Sequence, residues 1–138
     1  MTVKQISVFL ENKHGRLAEV TKILGDGGVN LRAMTIADTA DFGICRIICD
    51  DDATALKLLE ENGFTARETD VLGLEVPDKP GGLARIMAIF NENDVNIEYL
   101  YGTLERSQEN AIVIFKVEDI THGIKIIEEH GLKAIATF

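Results

Sequence analysis

Two short loops carry the residue types that could do chemistry. Asn12-Lys13-His14-Gly15-Arg16-Leu17 and Asp78-Lys79-Pro80-Gly81-Gly82-Leu83 each stand between an apolar strand-like run and a segment with helical periodicity. A glycine there lets the backbone come close to a ligand. The helix start behind it offers unpaired N–H groups and a partial positive charge, a setting for a carboxylate. Asn12 or Asp78, and Asn30 or Asn96 at the start of the next strand, can accept from an ammonium group. An anion-binding loop beside acceptors for a cation suits a zwitterion. The same residues are also ordinary turn and capping chemistry, so spacing alone leaves both readings open.

The elements that position these loops occur twice. NKHGRLAEVTKILGDGGVNL from Asn12 aligns with DKPGGLARIMAIFNENDVNI from Asp78 at a displacement of 66 residues. DDATALKLLEENGFTARET and EDITHGIKIIEEHGLKAIAT then align at 68, pairing Asp51 with Asp119 and Gly63 with Gly131. The two extra residues fall in the turn around Arg106 to Asn110, where insertions are tolerated. The chain is therefore read as two units, residues 1–69 and 70–138, each the size of a small domain.

Each copy reads as strand, helix, strand, strand, helix, strand. Gln5 to Leu10 alternates as a strand, with Val71 to Val76 as its counterpart. Leu17, Val20 and Leu24, and in the second copy Leu83, Ile86 and Phe90, give helices with one apolar stripe. Gly27-Gly28 ends the first helix and Asn93-Asp94 the third. Hairpins follow at Val29–Ile36 with Phe42–Cys49, around Ala37 to Asp41, and at Val95–Leu104 with Ala111–Val117. The fold class is α+β: two tandem ferredoxin-like βαββαβ units, antiparallel sheets with both helices on one face. Ile112 and Ile114 oppose Val113, Phe115 and Val117, and Ile44 and Ile48 flank Arg46, so the second sheet face is also partly apolar. Packing between repeats or a homo-oligomer would cover it.

Other candidates read as structural. Cys45 and Cys49 lie on a strand, where four residues span roughly 13 Å. One metal with Zn–S bonds of about 2.3 Å cannot join them, and they read as small core residues. His122 and His130 lie too far apart on one helix to chelate; His130 reads as a C-terminal cap. Asp50-Asp51-Asp52 reads as a helix start, with Asp51 or Asp52 as the cap, and Glu118-Asp119 repeats it. Tyr99 and Tyr101 share one strand face, where burial is favoured over ligand stacking, while Met34 and Leu100 on the opposite face read as plain packing. No nucleophile has an orienting base, so no catalytic activity, cofactor or metal site is expected.

Composition bounds the remainder. Of 138 residues 46% are apolar and 27% charged, the proportions of a folded chain. Twenty-three acidic against 14 basic residues give a formal charge of -9, which opposes binding to nucleic acid or anionic membranes. No apolar run approaches the roughly 18 residues of a membrane span, and no secretory leader pattern is present, so a cytoplasmic location is expected.

The pattern K-P-G-G-L-A … V-N-I after a strand, within a βαββαβ unit, resembles the ACT domain, a small regulatory amino-acid-binding module. Both copies fit, and the whole chain is similar to stand-alone proteins with two ACT domains. The resemblance implies a ligand at an interface between two ACT units, held by the loop before the first helix and the start of the second strand. It implicates Asn12, His14, Gly15, Arg16, Leu17 and Asn30 in one copy. In the other it implicates Asp78, Pro80, Gly81, Gly82, Leu83 and Asn96. His14 departs from the pattern, which has proline there. The implied function is a regulatory sensor of a free amino acid, in a homodimer, with a partner enzyme as a further associate. The alternative is a protein–protein interaction module that regulates a partner enzyme without a small ligand.

Overall fold

In the computed structural model, residues 1–37 and 40–138 are described; the expected turn at Ala37 to Asp41 includes residues 38 and 39, which lie outside them. The chain divides into two compact units, Lys4–Thr69 with Phe138, and Asp70–Thr137 with Met1–Val3.

The first unit comprises β1 (Val3–Glu11), α1 (Arg16–Asp26), β2 (Leu31–Ile36), β3 (Phe42–Cys49), α2 (Asp52–Glu61) and the beginning of β4 (Ala66–Pro77). β3 lies antiparallel between β1 and β2, with Val8 opposite Cys45 and Met34 opposite Ile47. Strand alternation sends Ile6, Val8, Leu10, Cys45 and Ile47 to one face, where Val20 and Leu24 of α1 and Ala55 and Leu59 of α2 close over them. α1 and α2 meet at Gly27, where any added Cβ would lie 2.2 Å from Leu58 Cδ1.

The second unit repeats the order with the rest of β4, α3 (Gly82–Glu92), β5 (Ile97–Ser107), β6 (Asn110–Val117), α4 (Ile120–Glu129) and β7 (Ala134–Ile135). β6 lies antiparallel between β4 and β5, and β7 pairs on the other side of β4. Leu72, Leu74, Val76, Phe115 and Val117 face Ile86, Phe90, Ile126 and Ile127. Phe90 meets Phe115 edge to face at 5.7 Å between centroids, the geometry that the aromatic quadrupole favours. Both units thus have the βαββαβ order with antiparallel strands, an α+β ferredoxin-like fold. Among the described residues, no helix is long and apolar enough to cross a membrane.

On the second sheet face Ile48, Ile114, Ile112, Ala33 and Tyr101 are buried, and so is Gln5, whereas Phe9 and Phe42 are exposed. Tyr99 stacks on Tyr101 with centroids 6.5 Å apart. Cys45 is buried in the core and Cys49 packs half-buried against it, as expected of small core residues. Burial pushes both thiols up to about 11.

Three expectations need correction. The last strand of the first copy and the first strand of the second are one strand, β4: it runs through Asp70 and Gly73, which locally favour turns, and Gly73 is held extended by pairing with both β6 and β7. β5 does not stop at Leu104 but continues to Ser107. The turn is only Gln108-Glu109, with Gln108 at φ 56. Leu100 is not packed like Met34: it is 40% exposed, whereas Met34 packs against the core of its unit.

Candidate ligand-binding loops

The four helices begin in two different ways. α2 and α4 carry side-chain caps: Asp51 accepts from the Thr54 N–H at 3.1 Å and Asp119 from the His122 N–H at 3.1 Å. This is the capping read from the acidic residues at these starts. α1 and α3 begin after Gly15 (φ 89) and Gly81 (φ 84), and no side chain caps either. No atom lies within 4 Å of where a Cβ would stand at either glycine. The requirement for glycine is therefore the left-handed backbone angle, not lack of room. Past the first helical residue, whose N–H turns back to the loop, the next N–H groups belong to the exposed Leu17 and Ala18, or Leu83 and Ala84, with the positive end of the helix dipole behind them.

The two loops fold alike. The Lys13 N–H donates to Glu11 C=O at 2.8 Å and the Arg16 N–H to Lys13 C=O at 3.3 Å. In the second unit Lys79 N–H donates to Pro77 C=O at 2.9 Å and Gly82 N–H to Lys79 C=O at 3.0 Å. The same turn thus forms with His14 or Pro80 at its tip, both exposed. Leu17 and Leu83 are each 38% exposed just behind the glycine.

Position 16/82 is where the copies part. Arg16 is half-exposed and reaches Glu19 at 3.0 Å and Glu11 at 3.5 Å. Gly82 is buried, and a Cβ on it would stand 2.0 Å from the Pro77 carbonyl oxygen. Gly82 therefore lets helix and strand meet and presents no side chain to a ligand.

Each loop borders a cleft within its own unit. The first has a volume of about 320 Å³, with Leu10, Leu17, Ile36, Ala37 and Gly43 as its apolar lining and Glu11, Asn12, Lys13 and Arg16 as its polar lining. That volume is at the lower end for small-molecule sites. Asn12 is tied into the loop, its Nδ2 donating to Ala40 C=O at 3.1 Å and its N–H to Asp41 C=O at 2.8 Å. Lys13 pairs with Glu11 at 2.7 Å. The hydrogen bond and charge of Lys13, then the charge of Arg16, hold the Glu11 carboxyl below the usual carboxylate range.

The second cleft, about 570 Å³, is lined by Pro77, Asp78, Lys79, Arg106, Gln108, Glu109 and Asn110. Asp78, the counterpart of Asn12, forms an ion pair with Arg106. Beside it Glu75, 7% exposed in its side chain, accepts from Asn110 Nδ2 at 3.0 Å and pairs with Lys133 at 3.1 Å. Burial pushes the Glu75 carboxyl up. The hydrogen bonds of Asn110, Ser107 and Lys133 and the charge of Lys133 outweigh it, and the net shift is downward.

Asn30 and Asn96 do not join their own loops. Each sits past the far end of the 11-residue helix that starts at the loop, about 16 Å away at 1.5 Å per residue. Asn30 N–H donates to Asp50 Oδ1 at 2.9 Å, and Asn96 Nδ2 donates to Glu118 Oε2 at 3.1 Å. The structure brings Asn12, Gly15, Arg16 and Leu17 to one end of a unit and leaves Asn30 at the other; Asp78, Gly81 and Leu83 stand in the same relation to Asn96. Sequence reasoning passed over Glu11, Lys13, Ile36 and Arg106. Ile36, the last apolar residue before a turn, carried a usable signal; Arg106 acts across 28 residues and carried none. Among the described residues no group of three or more His, Cys, Asp or Glu is arranged to hold a metal ion.

A duplicated βαββαβ unit with an open, glycine-led helix start in each copy is the architecture of paired ACT domains. The family profile described as ACT domain pair matches residues 1–137, and the chain belongs to that family. It is similar to the crystal structure of protein BT0572 from Bacteroides thetaiotaomicron, with 39% identity and a TM-score of 0.92, over 99% of this chain and 93% of that one. It shares its fold with the regulatory subunit of aspartate kinase from Thermus thermophilus, at 17% identity, TM-score 0.65, and 91% of each chain. The subunit from Thermus flavus gives 17% identity and a TM-score of 0.59, over 91% of this chain and 90% of that one. No curated protein matches it.

Proposed function

We propose that this chain is a cytoplasmic regulatory sensor of a free amino acid, acting as a homodimer and without catalytic activity of its own. The observation that carries the reading is the pair of glycine-led helix starts that no side chain caps, repeated in both units of an ACT domain pair. The ligand carboxylate would meet the first-turn N–H groups beside Gly15 or Gly81. Its ammonium group would meet Asn12 or Asp78 on the same loop. A ligand that also meets Asn30 or Asn96 must take that residue from a second ACT unit, since each lies at the far end of its own. Such a ligand binds the assembled arrangement better than the separated one, and that difference in affinity is the signal. The fold shared with regulatory subunits of aspartate kinase supports a regulatory role with a partner enzyme.

A second reading is favoured by Leu104 and Phe42, 86% and 58% exposed, which suit a protein partner rather than a small ligand. Thermal unfolding against the twenty amino acids at millimolar concentration separates the two. A ligand at a hundred times its dissociation constant adds about 2.7 kcal/mol of stability, several degrees for a chain of this size. One amino acid raising the midpoint is the expected result. A flat panel, with a monomer in sedimentation, refutes the sensor and favours the partner module.

A further inference from the structure

We infer that the two loops are not equivalent: the cleft of the first unit takes the ligand, and the ligand is an amino acid with an apolar side chain. The inference rests on the amino-acid-binding reading and adds which loop binds and which side chains it accepts.

The backbone turn and open helix start are common to both units, so the difference lies in what surrounds them. In the first cleft Leu10, Leu17 and Ile36 form an apolar wall beside the loop, with Ile36 44% and Leu17 38% exposed. Exposed apolar side chains gathered at a small cleft gain most from covering by another apolar group. In the second unit the residue displaced by 66 from Ile36 is Gly102, which removes that member of the wall. Val76 and Leu83 stand where Leu10 and Leu17 do but do not line its cleft, where Pro77 is the one apolar residue among the described ones.

Charge points the same way. The first cleft has neutral Asn12 where the second has Asp78, and among the described residues of its lining the charged ones are Lys13, Arg16 and Glu11. The second cleft sets Asp78 and Glu109 against Lys79 and Arg106, and the Arg106 cation already pairs with Asp78. Cations of both clefts are paired within the protein, Lys13 and Arg16 with Glu11 and Glu19, and Arg106 with Asp78. The linings therefore differ at the neutral Asn12 amide against the Asp78 carboxylate, and an incoming carboxylate meets repulsion at that position only in the second unit. β5 continues to Ser107, which carries Arg106 to the loop.

Isothermal titration calorimetry on the full chain tests this with leucine, phenylalanine, serine, aspartate and lysine as titrants. The expected result is one leucine or phenylalanine bound per chain, with the other three at least tenfold weaker. Ile36→Thr keeps a β-branched side chain on a half-exposed strand position and should weaken the apolar ligand about tenfold. Leu17→Ala, on the helix, should weaken it similarly, and Leu104→Ser, outside the cleft, should not. Serine, aspartate or lysine binding best, two ligands per chain, or wild-type affinity in both cleft variants overturns the inference and leaves amino-acid binding standing. No binding of any of the five overturns the inference, and the thermal panel of all twenty amino acids then decides the sensor reading separately.

Discussion

Gly82→Ala is a substitution whose outcome separates two opposing physical effects. Replacing glycine by alanine within a helix ordinarily gains up to about 1 kcal/mol in helix propensity. Here the added Cβ would stand 2.0 Å from the Pro77 carbonyl oxygen, whereas real Cβ contacts essentially never fall under 3.0 Å. The start of α3 would have to back away from the end of β4 by about 1 Å, and both are backbone, not a yielding side-chain tip. Overpacking of this kind costs about 1–3 kcal/mol. At the first helical position the propensity gain is smaller than in the interior, so a net loss of roughly 1–2 kcal/mol is expected, or about 4 °C per kcal/mol in the midpoint. Urea unfolding followed by far-UV circular dichroism measures the loss. The matched control is Arg16→Ala, where a Cβ is already accommodated and only contacts to Glu11 and Glu19 disappear. Equal or higher stability in Gly82→Ala would refute the close approach of helix and strand, and a large loss in Arg16→Ala would refute the contrast between the copies.

Three further outcomes can be checked. Asp119→Ala removes the acceptor of the His122 N–H and should cost about 1 kcal/mol in urea unfolding, whereas Asp119→Asn should retain most of it. Glu75 has its folded-state pKa lowered from the ordinary 4.5, so its charge stabilises the fold above that value and the contribution is lost as pH falls through the lowered pKa. The acid limb of stability against pH should therefore be shallower in Glu75→Gln than in wild type, and parallel profiles would count against the cluster. Cys45 and Cys49, with thiols pushed up to about 11, should resist a maleimide at pH 8 in the folded chain and react in urea. Rapid labelling of the folded chain would contradict their burial.

Much of the fold was legible because it depends on local signals. The duplication, the apolar stripes of α1 and α3, and the capping by Asp51 and Asp119 each lie within a few residues of what they determine. The glycine loops were legible for the same reason, with conformation set by one backbone angle at Gly15 or Gly81. What escaped depended on distant neighbours. Continuity of β4 runs through Asp70 and Gly73, which locally favour turns, and depends on pairing with β6 and β7. The burial of Glu75 depends on Asn110 and Lys133 arriving from other strands and loops. The separation of Asn30 from Gly15 follows from simple helix length, yet a motif read as a string places them together.

The tethers of the two loops differ in a way that ionic strength should reveal. Asn12 is held through a neutral amide-to-carbonyl bond to Ala40, but Asp78 is held through a charge pair with Arg106, both partners well exposed. The Debye length shrinks from about 8 Å at physiological salt to about 3 Å at 1 M, and exposed ion pairs weaken with it while neutral hydrogen bonds scarcely respond. Added salt should thus loosen the side-chain tether at Asp78 and leave the one at Asn12 as it was. The duplicated halves of one chain would then sense their ionic surroundings unequally, with the Asp78–Arg106 contact dispersing in salt and the Asn12–Ala40 contact persisting.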